Sequence, residues 1–169
     1  IPRMIYDLMD DDILQKTFKK IKLLIIGGDT INRNIYDYLR TNRINSYVSY
    51  GMTETSSGIS GYFINKTNRY ESGYMGTPHN NVDINLKNRF INVRSKTVMK
   101  KYTNGKFCNQ NFLSSDIGII KNNKIYFSGR GKDFIVSGGE NISLKVIEKI
   151  INSYSGIDGS AVVGYKDES

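Results

Sequence analysis

The chain has 169 residues, of which 38% are hydrophobic, and its 24 Lys and Arg residues exceed its 16 Asp and Glu residues to give a net charge of +8. This length is enough to bury one core or two small ones. The longest apolar run is residues 23–26, far short of the roughly 20 residues needed to cross a bilayer, so we expect no membrane insertion. The one cysteine cannot form an internal disulfide and no signal-peptide pattern is visible, so we expect a reducing, cytoplasmic setting.

The positive charge is scattered along the chain, and its densest group is Lys19, Lys20 and Lys22. Scattered charge is typical of a solvated surface, so we expect small-molecule partners rather than nucleic acids. Oligonucleotide binding that weakens steeply with salt would favour the opposite interpretation. The sequence starts on Ile rather than Met and stops at Asp-Glu-Ser, which suggests a fragment, and it carries no signal for an oligomeric state.

Residues 1–70 have the pattern of a parallel α/β unit. A buried strand is predicted over 22–26, and a second strand over 44–50. Between them, Thr30 is placed to cap a helix, whose apolar face is Ile31, Ile35, Tyr38 and Leu39. Strand, helix and strand with short links predict a βαβ unit, and such units place ligands at the carboxyl ends of their strands.

After residue 70 the pattern changes to short alternating strands separated by polar turns. Residues 71–129 are therefore predicted to form a small antiparallel β unit, in which 119–126 make a hairpin with an Asn-Asn tip. Residues 130–169 are too few to bury a core of their own. Their predicted elements are a strand over 134–136, a helix capped by Ser143 and a strand over 161–163.

Residues 49–55, Ser-Tyr-Gly-Met-Thr-Glu-Thr, follow the second strand and carry the parts of a nucleotide-phosphate site. Gly51 permits close backbone approach to a ligand. Thr53 offers a hydroxyl to an anion, and Glu54 offers a carboxylate to a divalent cation. An ordinary polar turn would have the same composition, so the motifs downstream decide between the two interpretations.

Two further motifs follow in the second half of the chain. Ser115-Asp116-Ile117-Gly118 places an acid just before a predicted strand, and Gly129-Arg130-Gly131-Lys132-Asp133-Phe134-Ile135 leads into a glycine turn at 137–142. Taken alone, Asp116 is better explained as a turn carboxylate and Arg130 as half of a surface ion pair.

Together these motifs resemble, in order and spacing, the adenylate-forming superfamily of acyl-CoA synthetases, firefly luciferases and peptide-synthetase adenylation domains. Gly27-Gly28-Asp29 and residues 73–78 match two further positions of that family. The resemblance covers essentially the whole chain and implies a fragment of the α/β and β fold of the family. Its parts would be the C-terminal end of a parallel α/β subdomain over 1–70, a small distorted antiparallel β-barrel over 71–129, and the hinge and truncated start of an α+β C-terminal domain over 130–169.

The resemblance also implies where ATP or AMP and Mg²⁺ bind. Thr53 would donate to a phosphate oxygen and Glu54 would hold the magnesium ion, which makes these two the catalytic positions. Asp116 would accept hydrogen bonds from the ribose hydroxyls, and Arg130 would reach the ribose or a phosphate. The other nucleotide-binding positions, with Tyr50 stacking on the adenine, would be Gly27, Gly28, Tyr50 and Gly51.

Three further roles follow only from the resemblance. Lys132 occupies the position of the hinge about which the small C-terminal domain rotates between the two half-reactions. Gly139 occupies a position along the tunnel for CoA, where a side chain would block the thiol. The acyl pocket would be lined by Thr55, Ser56, Ser57 and Gly58. By contrast, we expect His79 to be a loop residue and Cys108 to take no part in the chemistry.

Within the superfamily, the segment Ser-Tyr-Gly-Met-Thr-Glu-Thr-Ser-Ser and the short β region are most similar to the 2-succinylbenzoate–CoA ligases of menaquinone biosynthesis. The implied reaction is ATP-dependent formation of an acyl-adenylate, followed by thioester formation with CoA. A medium- or long-chain fatty acyl-CoA synthetase and a non-catalytic nucleotide-binding fragment are the alternatives. The phosphate loop and the late lysine of the family are not among these residues, so we expect the isolated chain not to adenylate.

Overall fold

The computed structural model describes residues 1–9, 16–18, 20–65, 69–105, 107–137 and 140–165. The helices in these ranges are α1 Pro2–Leu8, α2 Arg33–Thr41 and α3 Leu144–Ile151, and residues 16–18 are also helical. The strands are β1 Leu24–Ile26, β2 Ser46–Met52, β3 Ser57–Ile64, β4 Thr77–Pro78, β5 Asp83–Lys87, β6 Phe90–Arg94, β7 Asn111–Lys121, β8 Lys124–Arg130, β9 Phe134–Ser137 and β10 Glu140–Ser143. In this part of the chain no helix is both long enough and apolar enough to span a bilayer.

The first four strands form one sheet in the order β1-β2-β3-β4. β1 and β2 run parallel and are connected through α2, whereas β3 and β4 add antiparallel. The predicted βαβ unit is therefore confirmed. Its core packs the buried face of α2 against the sheet, and contains Ile5, Phe18, Ile26, Ile31, Ile35, Tyr36, Leu39, Ile44, Val48 and Ile64.

The start of α2 differs from the prediction. Asn32 rather than Thr30 is the N-cap, and its Oδ1 accepts a hydrogen bond of 2.9 Å from the amide of Ile35. Ile31 is buried in the core ahead of the helix. Asn32 has the extended backbone conformation of an N-cap, with φ −87° and ψ 170°, so the helix begins after it.

Strands β5 to β8 form a second, antiparallel four-stranded sheet in chain order, which confirms the antiparallel β region. The predicted hairpin is β7–β8, and its tip residues Asn122 and Asn123 have φ of 48° and 61°, as a tight hairpin turn requires. One prediction was wrong. Asp116 lies within the long strand β7, not before it, because the first half of β7 pairs with β6 and the second half with β8.

The two sheets are joined through the segment Gly73–Gly76. Its backbone exchanges hydrogen bonds with β8, including 2.7 Å from the Phe127 amide to the Gly73 carbonyl. A Cβ on Gly73 would lie 2.4 Å from the Phe127 carbonyl oxygen, and one on Gly76 would lie 2.0 Å from the Gly61 carbonyl oxygen. Both glycines also have positive φ. This close backbone contact brings the carboxyl end of β2 next to β7 and β8.

The side chain of Glu71, at the start of the same connection, ties it to β8. Lys124 donates to Glu71 at 2.8 Å, and the Tyr126 hydroxyl also donates to this carboxylate. The hydrogen bonds from Lys124 and then Tyr126 hold the pKa of the Glu71 carboxyl below its usual value. The ring of Tyr74 packs between those of Tyr62 and Tyr126 in a tilted arrangement, at centroid distances of 4.5 and 5.4 Å.

The last part of the chain contains the β9–β10 hairpin and α3. The prediction of a strand at residues 161–163 was wrong, because these residues adopt no regular structure. No strand in the described ranges pairs with them, and the Val162 amide instead donates to the Glu148 carboxylate at 3.1 Å.

Candidate functional site

A cleft with about 620 Å³ of empty space, part of it open to solvent, lies where the carboxyl ends of β1 and β2 face β7 and β8. It is referred to below as the main cleft. Its lining is partly apolar and aromatic and partly polar. Its lining residues are Gly28, Asp29, Thr30, Val48, Ser49, Tyr50, Gly51, Met52, Tyr74, Met75, Asp116, Phe127 and Arg130.

The polar part of the lining of the main cleft is organised around Asp116. The Tyr50 hydroxyl donates to Asp116 Oδ2 at 2.8 Å, and Arg130 Nε lies 3.3 Å from Oδ1. Asp116 and Arg130 face each other across the β7–β8 ladder, whereas Tyr50 comes from β2 in the other sheet. The structure therefore brings together three residues that sequence analysis singled out separately, and the contact joins the two sheets.

Asp116 Oδ2 accepts one hydrogen bond, from Tyr50, and Oδ1 faces Arg130 in an ion pair. A carboxylate has about four acceptor sites, so both oxygens retain capacity for ligand hydroxyls. Burial, followed by the Asp116 charge, raises the pKa of Tyr50 well above its usual value. The Tyr50 phenol therefore stays protonated and acts as a donor, while its ring forms part of the cleft wall.

The apolar part of the lining of the main cleft is suited to a flat ring. Val48, Met75 and Phe127 line it together with Tyr50 and Tyr74. Sequence analysis missed Met75 and Phe127 as lining residues, because both come from the connection to β8 and from β8 itself, and only the folded junction places them here. Asp29 and Thr30 were also missed, although their position directly after a strand and two glycines was a signal.

The double glycine after β1 lies beside the carboxyl end of β2. A Cβ on Gly27 would lie 3.3 Å from the Ser49 carbonyl oxygen, and Gly28 has φ +90°. Gly28 lines the main cleft, and both glycines line a second, more open cleft with about 650 Å³ of empty space. The predicted glycine positions are thus close to Tyr50 and Gly51, but the contact with a ligand stays a prediction.

The second cleft lies beside the Thr-Glu turn. Thr53–Thr55 form one turn of 3₁₀ helix directly after β2. Thr53, Ser56, Ser57 and Gly58 line this second cleft, beside Gly51. Gly51 sits at a β-bulge, and a Cβ there would lie 2.1 Å from the Ser57 carbonyl oxygen, so only glycine fits.

Thr55 differs from the expectation that it lines an acyl pocket. Its side chain is fully buried, and Oγ1 accepts from the Met52 amide at 3.1 Å and is 2.9 Å from the Ser57 carbonyl. The hydroxyl therefore closes the turn on itself, and Thr55 is absent from the lining of both clefts.

Glu54 lies at the rim of the site and does not line either cleft. Its side chain is half-buried, and Oε1 accepts a long hydrogen bond of 3.4 Å from the Tyr102 hydroxyl. Partial burial, then the Glu54 charge, raises the pKa of Tyr102, so this phenol also stays a donor. In the described ranges, no cluster of three or more His, Cys, Asp or Glu residues is arranged to hold a metal ion.

The remaining sequence-predicted positions are separate from the clefts. Lys132 is exposed in the turn Gly131–Asp133 between β8 and β9. Gly139 lies outside the described residues, so the structure does not bear on its role. His79 bridges two strands, with Nδ1 at 3.2 Å from the Gly58 carbonyl and Nε2 at 2.7 Å from the Tyr47 hydroxyl. Because a carbonyl only accepts, a neutral His79 carries its proton on Nδ1.

Known proteins resemble this chain in both sequence and fold. No family model matches it. A 2-succinylbenzoate–CoA ligase from Staphylococcus epidermidis is 28% identical over an alignment of 187 positions, which covers 100% of this chain and 38% of the relative. A Staphylococcus aureus protein named as a long chain fatty acid-CoA ligase, VraA, is 25% identical to this chain. That alignment covers 99% of this chain and 37% of the relative.

Among solved structures, O-succinylbenzoate–CoA synthetase from Bacillus subtilis in complex with the acyl-adenylate intermediate superimposes with a TM-score of 0.79 at 25% identity, over 99% of this chain and 37% of that one. The same enzyme in complex with ATP and magnesium ion has a TM-score of 0.77 at 24% identity. The chain spans less than two fifths of the curated relatives that it matches. It therefore has the fold of the adenylate-forming superfamily and is similar to the 2-succinylbenzoate–CoA ligases over this part of their length.

Proposed function

We propose that the protein carrying this sequence is a 2-succinylbenzoate–CoA ligase, which activates the carboxylate with ATP and then transfers the acyl group to CoA. The observation that carries the proposal is the Tyr50–Asp116–Arg130 contact at the main cleft, next to the Thr53–Glu54 turn. The similarity to ligases of this kind supports the choice of substrate.

The main cleft would hold the nucleoside. Asp116 would accept hydrogen bonds from the two ribose hydroxyls, because both its oxygens keep acceptor capacity. Tyr50 and Phe127, which both line the main cleft, would pack against the adenine. Arg130 would hold the carboxylate in place by its ion pair and donate towards the ribose or phosphate through its fork of N–H groups.

The second cleft would hold the phosphates and the reacting carboxylate. Thr53 would donate to a phosphate oxygen, and Glu54 fits a magnesium site that needs only one or two carboxylates beside the nucleotide phosphates. When bound, the ion neutralises negative charge on the phosphates. Ser56, Ser57 and Gly58 would lie towards the acyl group.

The remaining assignments concern the rest of the reaction. Lys132 would be the hinge residue, and its exposed position in the turn between β8 and β9 supports this role. We also propose Gly139 for the CoA tunnel, from the resemblance alone. The proposed setting is the cytoplasm, with small-molecule substrates and without nucleic acid as a partner.

A substrate comparison tests the proposal. The protein carrying this sequence is given ATP, Mg²⁺, CoA and either 2-succinylbenzoate or a long-chain fatty acid, and AMP release is measured. We expect preference for 2-succinylbenzoate. A preference for the fatty acid would replace the proposed substrate with the alternative, and AMP binding without turnover of either acid would favour a non-catalytic nucleotide-binding protein.

A further inference from the structure

The connection after β6 packs against the Thr-Glu turn. We call its residues 95–105 the strap. The Met99 amide donates to the Glu54 carbonyl at 2.8 Å, and the Ser56 hydroxyl donates to the Thr97 carbonyl at 2.8 Å. The strap belongs to the second sheet and the turn to the first, so these two hydrogen bonds fix the turn from outside its own sheet.

The strap itself is well anchored. Val98 is buried in the core of the second sheet. The Thr97 amide donates to Ser95 Oγ at 3.2 Å, and the Gly105 amide donates to the Tyr102 carbonyl at 3.0 Å. The backbone that carries the Tyr102 side chain is therefore held at several points.

From this backbone the Tyr102 hydroxyl reaches Glu54 Oε1 at 3.4 Å. Both side chains are only half-buried, so water can serve as the hydrogen-bond partner of the hydroxyl and of the carboxylate. The contact between them is therefore not needed merely to pair a buried polar group. It uses one carboxylate oxygen, Oε1, and leaves Oε2 for another partner. A free glutamate side chain has several rotamers, and restricting them before a ligand arrives lowers the entropic cost of binding.

We propose that Tyr102 is a positioning residue that holds the Glu54 carboxylate at the rim of the second cleft, ready for the cation of a metal–nucleotide complex. The inference rests on the proposed function, because it requires Glu54 to face the magnesium ion of ATP. It predicts that removal of the Tyr102 hydroxyl weakens the contribution of Mg²⁺ to nucleotide binding and leaves metal-free binding unchanged.

The experiment measures the dissociation constant of ATP by calorimetry, with and without Mg²⁺, on the protein carrying this sequence. The ratio of the two constants is the magnesium-dependent gain in affinity. Tyr102→Phe is expected to lower this gain about two- to fivefold, less than a typical hydrogen bond to a charged group would give, because the contact is long and half-exposed. The matched control is Tyr154→Phe, whose ring is 66% exposed and lies outside the strap, and it is expected to leave the gain unchanged.

A double-mutant cycle with Glu54→Gln separates positioning from a general structural effect. If Tyr102 acts through Glu54, Tyr102→Phe has no further effect on the gain in the Glu54→Gln background. An unchanged or increased gain in Tyr102→Phe overturns the inference, and so does an equal effect in both backgrounds. ATP binding without a magnesium-dependent gain in the unmodified protein overturns this inference alone, whereas absence of ATP binding overturns the proposed function as well.

Discussion

The contact between Tyr50 and Asp116 joins the two sheets through one hydrogen bond of 2.8 Å, and Tyr50→Phe removes only the donor. The ring stays in the cleft wall and no cavity larger than a hydroxyl is created. The loss therefore measures the hydrogen bond itself, and the structure allows its size to be worked out.

A hydrogen bond to a charged group contributes about 1.5–3 kcal/mol to stability, compared with about 0.5–1.5 kcal/mol for a neutral pair. Asp116 is buried, but it keeps its ion pair with Arg130 at 3.3 Å, so the carboxylate is not left unpaired. We therefore expect the low end of the charged range, about 1.5 kcal/mol. In a folded unit of this size, 169 residues, this corresponds to a melting temperature lower by about 3–6 °C.

Urea unfolding of Tyr50→Phe, with Tyr154→Phe as the exposed control, measures this free energy. We expect the control to lie within about 0.5 kcal/mol of the unmodified protein. In the Asp116→Ala background the Tyr50 hydroxyl has already lost its acceptor, so Tyr50→Phe should cost almost nothing there. A loss equal to that of the control, or the same loss in both backgrounds, would refute the argument that this bond stabilises the junction.

Three further predictions concern other parts of the fold. Gly51→Ala should destabilise the protein by about 1–3 kcal/mol or more because its Cβ meets backbone at 2.1 Å, whereas Gly159→Ala, with nothing within 4 Å, should be nearly neutral in the same urea assay. Glu71→Gln should remove a stabilisation that is present above the unfolded pKa near 4.5 and is lost as the pH falls through the lowered folded pKa. The stability–pH curves of the variant and the unmodified protein should therefore converge at acid pH. A difference in stability that stays constant with pH would contradict this prediction. Asn32→Ala should lower the free energy of unfolding by about 1 kcal/mol, measured by thermal unfolding, and Thr30→Ala should lower it much less. A larger loss for Thr30→Ala would support Thr30 as the cap, as predicted from sequence.

Local patterns were sufficient for most of the fold. The βαβ unit follows from helical and strand periodicity, and the β7–β8 hairpin follows from two asparagines that accept positive φ. The wrong predictions concern segments whose structure depends on pairing with strands elsewhere in the chain. β7 extends well before Asp116 because β6 is there to pair with it, and residues 161–163 form no strand without a neighbouring strand in the described ranges.

In the candidate site, too, residue types could be predicted from local sequence but contacts between distant residues could not. Sequence analysis found Tyr50, Asp116 and Arg130 as separate motifs, but it assigned the Tyr50 ring to stacking and did not connect its hydroxyl to Asp116. It placed Thr55 in a pocket, where the structure uses its hydroxyl to close a turn. Such contacts depend on side-chain direction, which motif spacing does not specify.

By itself, the sequence determined the kinds of chemistry available: a hydroxyl and a carboxylate after a strand, an aspartate and an arginine further on, and glycines where backbone must approach closely. These are properties of residue type and local spacing. Only the tertiary structure decided which groups meet, because Asp116 and Tyr50 are 66 residues apart in the chain and Tyr102 and Glu54 are 48 apart. Their contacts form through the junction at Gly73–Gly76 and through the strap, where backbone from one sheet packs directly on the other.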